Sequence, residues 1–197
     1  MEFREFGKIA RLSREMVITE KIDGTNGLVA IEEGTSLKNG GLVDANFEGV
    51  DYVISAGSRT RWITPEKDNA GFARWVIENA NELVKLGTGF HYGEWWGQGI
   101  QRNYGLKEKR FSLFNSYLWS DELGNRPSCC HVVPVLYSGM FDTRVIRNVL
   151  DDLKHTGSHA SKGFMKPEGV VIYHTAGNLY FKKTIEGDEK PKSLASE

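Results

Sequence analysis

Lys21 stands in the stretch TEKIDGTNG, residues 19–27, between two short apolar runs. A lysine amine can act as a covalent nucleophile once it is deprotonated. Asp23 follows two residues later, and in an extended chain both side chains project to the same side. Gly24 would let a ligand approach the backbone closely. An ordinary strand followed by a turn produces the same pattern, so this stretch alone is compatible with both interpretations.

Two further stretches carry cations suited to phosphate groups. SRTR contains Arg59 and Arg61, whose forked guanidinium groups fit phosphate oxygens or ribose hydroxyls. NLYFKKT ends in Lys182 and Lys183, which could offset the charge of a reacting phosphate. The structural alternative for the lysines is an edge strand that they protect from pairing.

Two acids stand at the ends of predicted strands, each beside a glycine. Glu94 lies in FHYGEWWG between glycine and two tryptophans, and Glu168 precedes Gly169 in KPEGVVIYH. A buried acid must be paired, metal-linked or hydrogen-bonded, so either residue could bind a ligand or simply be satisfied by the core. A turn leading into a strand also explains the second acid.

Composition and charge narrow the class of protein. Hydrophobic residues make up 40% and charged residues 26% of 197 residues, which is ordinary for a globular protein. The net charge is −1, so a nucleic-acid contact would be local rather than spread over the surface. One stretch, QRNYGLKEKRF, gathers cations between Tyr104 and Phe111, and these form the basic cluster: Arg102, Lys107, Lys109 and Arg110. A solvated loop is its structural alternative.

No predicted segment is apolar enough to span a bilayer. The charged N-terminus does not resemble a secretory signal. The two cysteines, Cys129 and Cys130, are adjacent, which fits a reducing compartment. We therefore expect an intracellular, cytoplasmic protein without a membrane partner.

Strands are predicted at 16–18, 27–31, 52–56, 89–95, 110–118, 131–137, 169–173 and 178–182, and helices over 71–87 and 142–157. Many strands and two helices predict an α+β fold with mainly antiparallel sheets.

The order of these motifs resembles the covalent nucleotidyltransferases, which include polynucleotide ligases and mRNA capping enzymes. Within them, the chain is most similar to phage-type RNA ligases of the RNA ligase 2 group. The motifs that carry the resemblance are EKIDGTN, YGEWWGQGIQRNYG, KRFSLFN, EGVVIYH and YFKKT, over residues 16–184. Two details depart from the family pattern: Asn115 stands where aspartate is common, and the last two lysines are adjacent rather than spaced by one residue.

This resemblance implies one ATP-grasp-like nucleotidyltransferase domain with a few flanking helices. From the length and composition of the chain we expect this domain to occupy residues 1–197, with a solvated tail at 186–197 and no appended C-terminal domain. The resemblance implies that Lys21 attacks ATP and becomes lysyl-adenylate. The neighbouring Glu20 would help to read adenine through its backbone. Glu168 would lie near the metal and the reacting lysine.

The resemblance also assigns the remaining binding residues. Arg59, with Arg61 in reserve, would contact ribose or phosphate, and Glu94 would hold the ribose hydroxyls. Phe111 would stack on adenine, with Phe114 as the nearby alternative. Lys182, favoured over Lys183, would touch the α-phosphate. Glu94 and Glu168 would hold Mg²⁺ through water.

The implied partner is nucleic acid, with RNA favoured over DNA. An ATP-dependent DNA ligase or nick-sealing enzyme shares all the motifs and is the first alternative, and a non-catalytic nucleotide or nucleic-acid binding module is the second. The basic cluster is a candidate for phosphate contacts. Because the chain is short for a ligase, we expect that a protein partner could replace the missing second domain. A phage-encoded protein acting in the host cytoplasm would fit the resemblance.

Overall fold

The computed structural model describes residues 2–34, 41–120 and 124–188. It contains eleven strands: β1 (Glu15–Lys21), β2 (Thr25–Glu33), β3 (Val43–Phe47), β4 (Val50–Gly57), β5 (Trp62–Ile63), β6 (Gly89–Gly97), β7 (Lys109–Leu113), β8 (Cys130–Val132), β9 (Val135–Met140), β10 (Gly169–His174) and β11 (Leu179–Thr184). The α-helices are α1 (Phe72–Glu78), α2 (Ala80–Leu83) and α3 (Thr143–Thr156). The predicted α+β class with mainly antiparallel sheets is confirmed.

The chain divides into two compact units. The first is formed by the described parts of Met1–Lys21 and Pro134–Glu197, and the second by the described parts of Ile22–Val133. The first unit contains a four-stranded antiparallel sheet in the order β11-β10-β1-β9. Alternate residues of its central strands are buried, as a half-covered sheet requires. Helix α3 packs its apolar side, which includes Leu153, against Met16 and Val170.

Helix α3 has the predicted termini. Asp142 caps its start, and its carboxylate accepts a hydrogen bond from the backbone N–H of Arg144 at 2.7 Å. Gly157 follows its end with a φ of 83°, a left-handed conformation that favours glycine. The helix covers one face of the four-stranded sheet.

The second unit contains a seven-stranded sheet with the order β3-β4-β2-β6-β7-β8, and β5 pairs with β4. Its pairs are antiparallel except for β7 with β8. One face packs on the short helices around an aromatic core in which the rings of Phe72, Trp75, Trp95 and Phe111 lie 5.0–5.7 Å apart. This core holds β6 and β7 in register.

Several predicted boundaries were wrong. The helix predicted over 71–87 breaks at Asn79, whose φ of −111° leaves the helical region, and it ends in a 3₁₀ turn at Val84–Leu86. The strand predicted over 110–118 ends at Leu113, and the one over 131–137 is interrupted before Val135, where Pro134 cannot donate a backbone hydrogen bond. Strands β3 and β5 were not predicted.

None of the helices in the described ranges has the length and apolar character needed to cross a membrane. Of the predicted solvated tail, residues 186–188 are exposed and 189–197 lie outside the described residues. The expectation of a single nucleotidyltransferase domain stays a prediction.

Candidate active site

Lys21 and Glu168 form an ion pair in the first unit. Nζ of Lys21 donates to Oε2 of Glu168 at 2.6 Å, with 20% of the lysine side chain and 4% of the glutamate side chain exposed. The pair forms because Lys21 lies opposite Gly169 in the β1–β10 register, next to the acid. A Cβ at Gly169 would lie 2.2 Å from the Lys183 carbonyl oxygen, so only glycine lets β11 close here. An amine and a buried carboxylate are thus in direct contact.

The pairing register separates the two terminal lysines of β11. Cross-strand neighbours share a face of the sheet, and alternate residues of a strand do too. Three rows therefore lie on the side that we call the Lys21 face: Val17–Tyr173–Tyr180, Thr19–Val171–Lys182 and Lys21–Gly169–Thr184. Lys183 lies on the opposite face, opposite Val170, and pairs with Asp188 at 2.9 Å. Lys182 is exposed and, among the residues described, makes no ion pair.

Glu20 is almost fully buried on the side opposite the Lys21 face. Its carboxylate accepts hydrogen bonds from the Ser158 hydroxyl at 2.6 Å and from the backbone N–H groups of His159 and Ala160 at 2.8 and 2.9 Å. Burial raises the pKa of Glu20, while the three hydrogen bonds and the charge of His159 oppose that rise. Its backbone N–H donates to the Pro134 carbonyl. The side chain thus fixes the turn after α3, a role that the motif did not predict.

Glu94 lies at the centre of β6 in the second unit, half-buried. Its Oε1 accepts a hydrogen bond from the backbone N–H of Gly24 at 3.0 Å. A Cβ at Gly24 would lie 2.5 Å from the Trp95 carbonyl oxygen and 2.7 Å from Cβ of Trp96. The prediction that Gly24 makes room for a ligand was therefore wrong, because strand β6 of the protein itself fills that space.

Asp23 is held by two residues of the loop after β6. Its carboxylate accepts from Nε of Arg102 at 3.0 Å, and its backbone N–H donates to the hydroxyl of Tyr104 at 2.9 Å. Tyr104 is buried, has a left-handed φ of 50° and packs edge-on against Trp96. Such backbone strain persists only where surrounding contacts hold it. Sequence reasoning missed Tyr104; its position between Asn103 and a glycine was the available signal for a left-handed turn.

Phe111 does not present its ring to a ligand. It has no exposed surface, and it packs in the aromatic core on the Trp95 side of β7. Glu94 lies opposite Ser112 in the pairing of β6 with β7. Phe114, two residues after Ser112, therefore has its side chain on the same side of the sheet as Glu94. The backbone N–H of Phe114 continues the pairing by donating to the Tyr92 carbonyl, and 38% of this residue is exposed. The assignment of Phe111 to adenine stacking was wrong, and Phe114 is the accessible aromatic.

Arg59 and Arg61 lie in the turn between β4 and β5, and both are exposed. Arg61 donates to the Lys67 carbonyl at 3.0 Å, and its own carbonyl accepts from the Ser58 N–H. In the described part of the chain no hydrogen bond of the Arg59 side chain is found. The preference for Arg59 over Arg61 as the nucleotide contact stays a prediction.

The basic cluster is largely engaged within the protein. Three of its cations are held by neighbours: Arg102 by Asp23, Lys109 by the carbonyl of Ala70, and Arg110 by Glu108. Lys107 is exposed. Contacts within the protein thus engage three of the four cations, and the role of the cluster in phosphate contacts stays a prediction.

No group of three or more histidine, cysteine, aspartate or glutamate side chains that could hold a metal occurs within the ranges that the structure describes. Mg²⁺ needs no such cage, because it keeps several waters and is often held by one or two carboxylates together with substrate phosphates. Glu94 and Glu168 each supply one carboxylate of that kind, in separate units. Their roles as Mg²⁺ ligands stay predictions.

Solved structures similar to this chain show the same fold. They include mutants of the Naegleria gruberi RNA ligase with ATP and Mn (TM-score 0.60) and with AMP and Mn (0.58), and that ligase with PPi (0.57), each at 19% identity. The matches cover 87–88% of this chain and 50% of the ligase, so the chain spans about half the length of these relatives. No curated protein matches the sequence significantly.

The sequence model of the RNA ligase family matches residues 14–185. This range includes Lys21, Glu94, Glu168 and Lys182, and it leaves only short segments unmatched at the two ends. The chain belongs to the RNA ligase family.

Proposed function

We propose that this protein is an ATP-dependent RNA ligase that joins 5′-phosphate and 3′-hydroxyl ends through a covalent adenylate on Lys21. The observation that carries the proposal is the contact between Lys21 and Glu168 in a chain of the RNA ligase family. An amine against a buried carboxylate, with Lys182 on the same face of the sheet, supplies a nucleophile, a proton acceptor and a cation. We further propose that it acts in the cytoplasm.

The first step transfers AMP to the protein. A bond forms between Nζ of Lys21 and the α-phosphorus of ATP, the bond to the oxygen bridging to the β-phosphate breaks, and pyrophosphate leaves. Oε2 of Glu168, 2.6 Å from Nζ, is placed to accept the proton that the amine loses. Lys182 offsets the charge that develops on the α-phosphate oxygens.

Two further transfers complete the proposed reaction. A 5′-phosphate oxygen of the RNA attacks the adenylate phosphorus, and Lys21 leaves as the amine. A 3′-hydroxyl then attacks the 5′-phosphorus, and AMP leaves. Glu168 or Glu94 would help to hold Mg²⁺, which would supply charge neutralisation. Phe114 and Glu94, on one side of the second unit's sheet, are proposed to contact adenine and ribose, with Arg59 near ribose or phosphate.

The test is a strand-joining assay with ATP and Mg²⁺. Substrates are 5′-phosphorylated RNA, single-stranded and nicked, the matching DNA strands, and pre-adenylylated RNA, which isolates the last step. We expect joined RNA, and joining of the pre-adenylylated strand without ATP. Joining of DNA alone would favour the DNA ligase alternative, and no joining of any substrate would overturn the assignment as a ligase.

A further inference from the structure

An aromatic pair lies on the Lys21 face of the first unit. The rings of Tyr173 and Tyr180 are 4.6 Å apart with an interplanar angle of 31°. The hydroxyl of Tyr173 donates to the side chain of Asn178 at 2.9 Å, which fixes the inner ring. Tyr180 is 69% exposed, so its outer surface is open beside a ring that is held in place.

The pairing register sets the position of this pair relative to the reacting groups. Tyr180 lies one row from Lys182 and two rows from Lys21 on the same face. At about 3.3 Å per residue, four residues along a strand correspond to about 13 Å, and β11 lies two strands, or about 9–10 Å, to the side of β1. An aromatic surface, an exposed cation and the proposed nucleophile thus follow one another along the sheet.

We propose that Tyr180, backed by Tyr173, stacks on a nucleobase of single-stranded RNA whose terminal phosphate reaches Lys21. This inference rests on the proposed function and identifies where that site holds its substrate. Exposed aromatics on a sheet surface stack unpaired bases in a manner tolerant of sequence. Lys182, between the aromatic pair and Lys21, offers the complementary charge to the backbone phosphates.

The same strand provides a matched control on its other face. Phe181 is 52% exposed and next in sequence to Tyr180, but its side chain projects away from the Lys21 face. If RNA binding needed only an exposed aromatic side chain on this strand, substitution of Tyr180 and substitution of Phe181 would weaken it equally. Loss of a stacking surface beside the reacting lysine would affect Tyr180 alone.

The experiment measures the binding of fluorescent 5′-phosphorylated RNA oligonucleotides by anisotropy, using one intact RNA and RNAs that are abasic at a single one of the first three nucleotides. We expect Tyr180→Ala to weaken binding of the intact RNA by roughly 5- to 150-fold, the range for loss of one stacked base. It should leave unaffected the RNA that lacks the stacked base, and Phe181→Ala should bind every RNA as the wild type does. Tyr180→Phe should keep the affinity and Tyr180→Leu should lose it, which tests stacking if the alanine variant folds poorly.

The AMP adduct on Lys21, measured in the same preparations, separates this inference from the proposed function. Adduct formation together with equal RNA affinity of the wild type and Tyr180→Ala would overturn the inference alone. Lack of RNA binding by the wild type would overturn it as well, whatever the adduct shows. A dimer that Tyr180→Ala dissociates, with RNA binding unchanged, would assign the surface to a second copy of the chain and contradict the inference.

Discussion

Nζ of Lys21 lies 2.6 Å from Oε2 of Glu168, although 147 positions separate the two residues in the chain. The antiparallel pairing of β1 with β10 produces this contact. Because the carboxylate is almost fully buried, it has a fixed orientation and little competition from water. A carboxylate held against the proposed nucleophile is in position to take up the proton that the attacking amine loses.

Glu168→Gln should therefore slow AMP transfer while keeping the shape of the site. Its amide cannot take up a proton, and general-base contributions are typically about 10²–10⁴-fold. We expect a decrease of at least roughly 10²-fold in the rate of adduct formation, followed by quenched-flow mass measurement. The exposed Glu186→Gln is the control and should react at the wild-type rate; an unchanged rate in Glu168→Gln would remove this residue from the reaction.

The two terminal lysines of β11 should differ in effect. Lys182→Ala removes the cation on the Lys21 face, and we expect adenylylation to fall by roughly 10²–10³-fold, as for the loss of one charge-stabilising donor. Lys183→Ala removes a partly exposed ion pair with Asp188, which should change the unfolding free energy by no more than about 1 kcal/mol. Rates and urea unfolding of both variants test this, and a larger rate loss in Lys183→Ala would reverse the assignment.

The two candidate aromatics should separate stability from nucleotide binding. Phe111→Ala leaves a cavity in the aromatic core and should lower the unfolding free energy by about 3–5 kcal/mol. Phe114→Ala removes a partly exposed ring on the Glu94 side and should weaken ATP binding with little loss of stability. Calorimetric ATP titration with thermal unfolding distinguishes them; unchanged ATP affinity in a folded Phe114→Ala protein would contradict its role.

Glu20 should make stability depend on pH in an unusual direction. Burial raises the pKa of this carboxyl in the folded state, so the folded protein binds a proton at higher pH than the unfolded chain does. The contribution of Glu20 to stability should therefore fall as pH rises from the unfolded pKa through the folded one. Glu20→Gln cannot titrate, so the unfolding free energy of the wild type minus that of Glu20→Gln should decrease over this window.

Urea unfolding of both proteins from about pH 4 upward measures this difference. Glu20→Ala is the second comparison, because it leaves the Ser158, His159 and Ala160 donors without their acceptor and should be the least stable of the three proteins. A difference between the wild type and Glu20→Gln that grows with pH would mean that the hydrogen bonds outweigh burial.

Local pattern predicted the strand that carries Glu94, the first part of the strand that ends at Lys21, the strand that begins after Glu168, and both ends of α3. Apolar alternation, a capping aspartate and a terminal glycine act within a few residues of the chain. These signals placed Glu168 correctly before the start of its strand, but Glu94 lies at the centre of β6 rather than at a strand end. They also gave the fold class, because the count of strands exceeded that of helices.

What the local pattern could not predict depends on pairing between distant segments. In KRFSLF either phenylalanine could face a ligand, and only the register of β7 against β6 excludes Phe111. The partners of Glu20 lie about 140 positions away in the turn after α3. The prediction of a ligand contact at Gly24 failed because nothing in the sequence shows that Trp95 and Trp96 of β6 pack against this glycine. The alternation of Val43, Ala45 and Phe47 was a usable signal for β3.

The most direct test of the account is the intact mass of the protein after incubation with ATP and Mg²⁺. The wild type, first treated with pyrophosphate to remove bound AMP, should gain about 329 Da, the mass of one AMP joined by a covalent bond. Lys21→Arg keeps a cation opposite Glu168 but lacks the nucleophilic amine, and Lys21→Ala lacks both, so neither should gain mass. An exposed lysine variant, Lys162→Ala, should gain mass as the wild type does. No gain by the wild type, or an equal gain by the Lys21 variants, would contradict the proposal that Lys21 carries the adenylate.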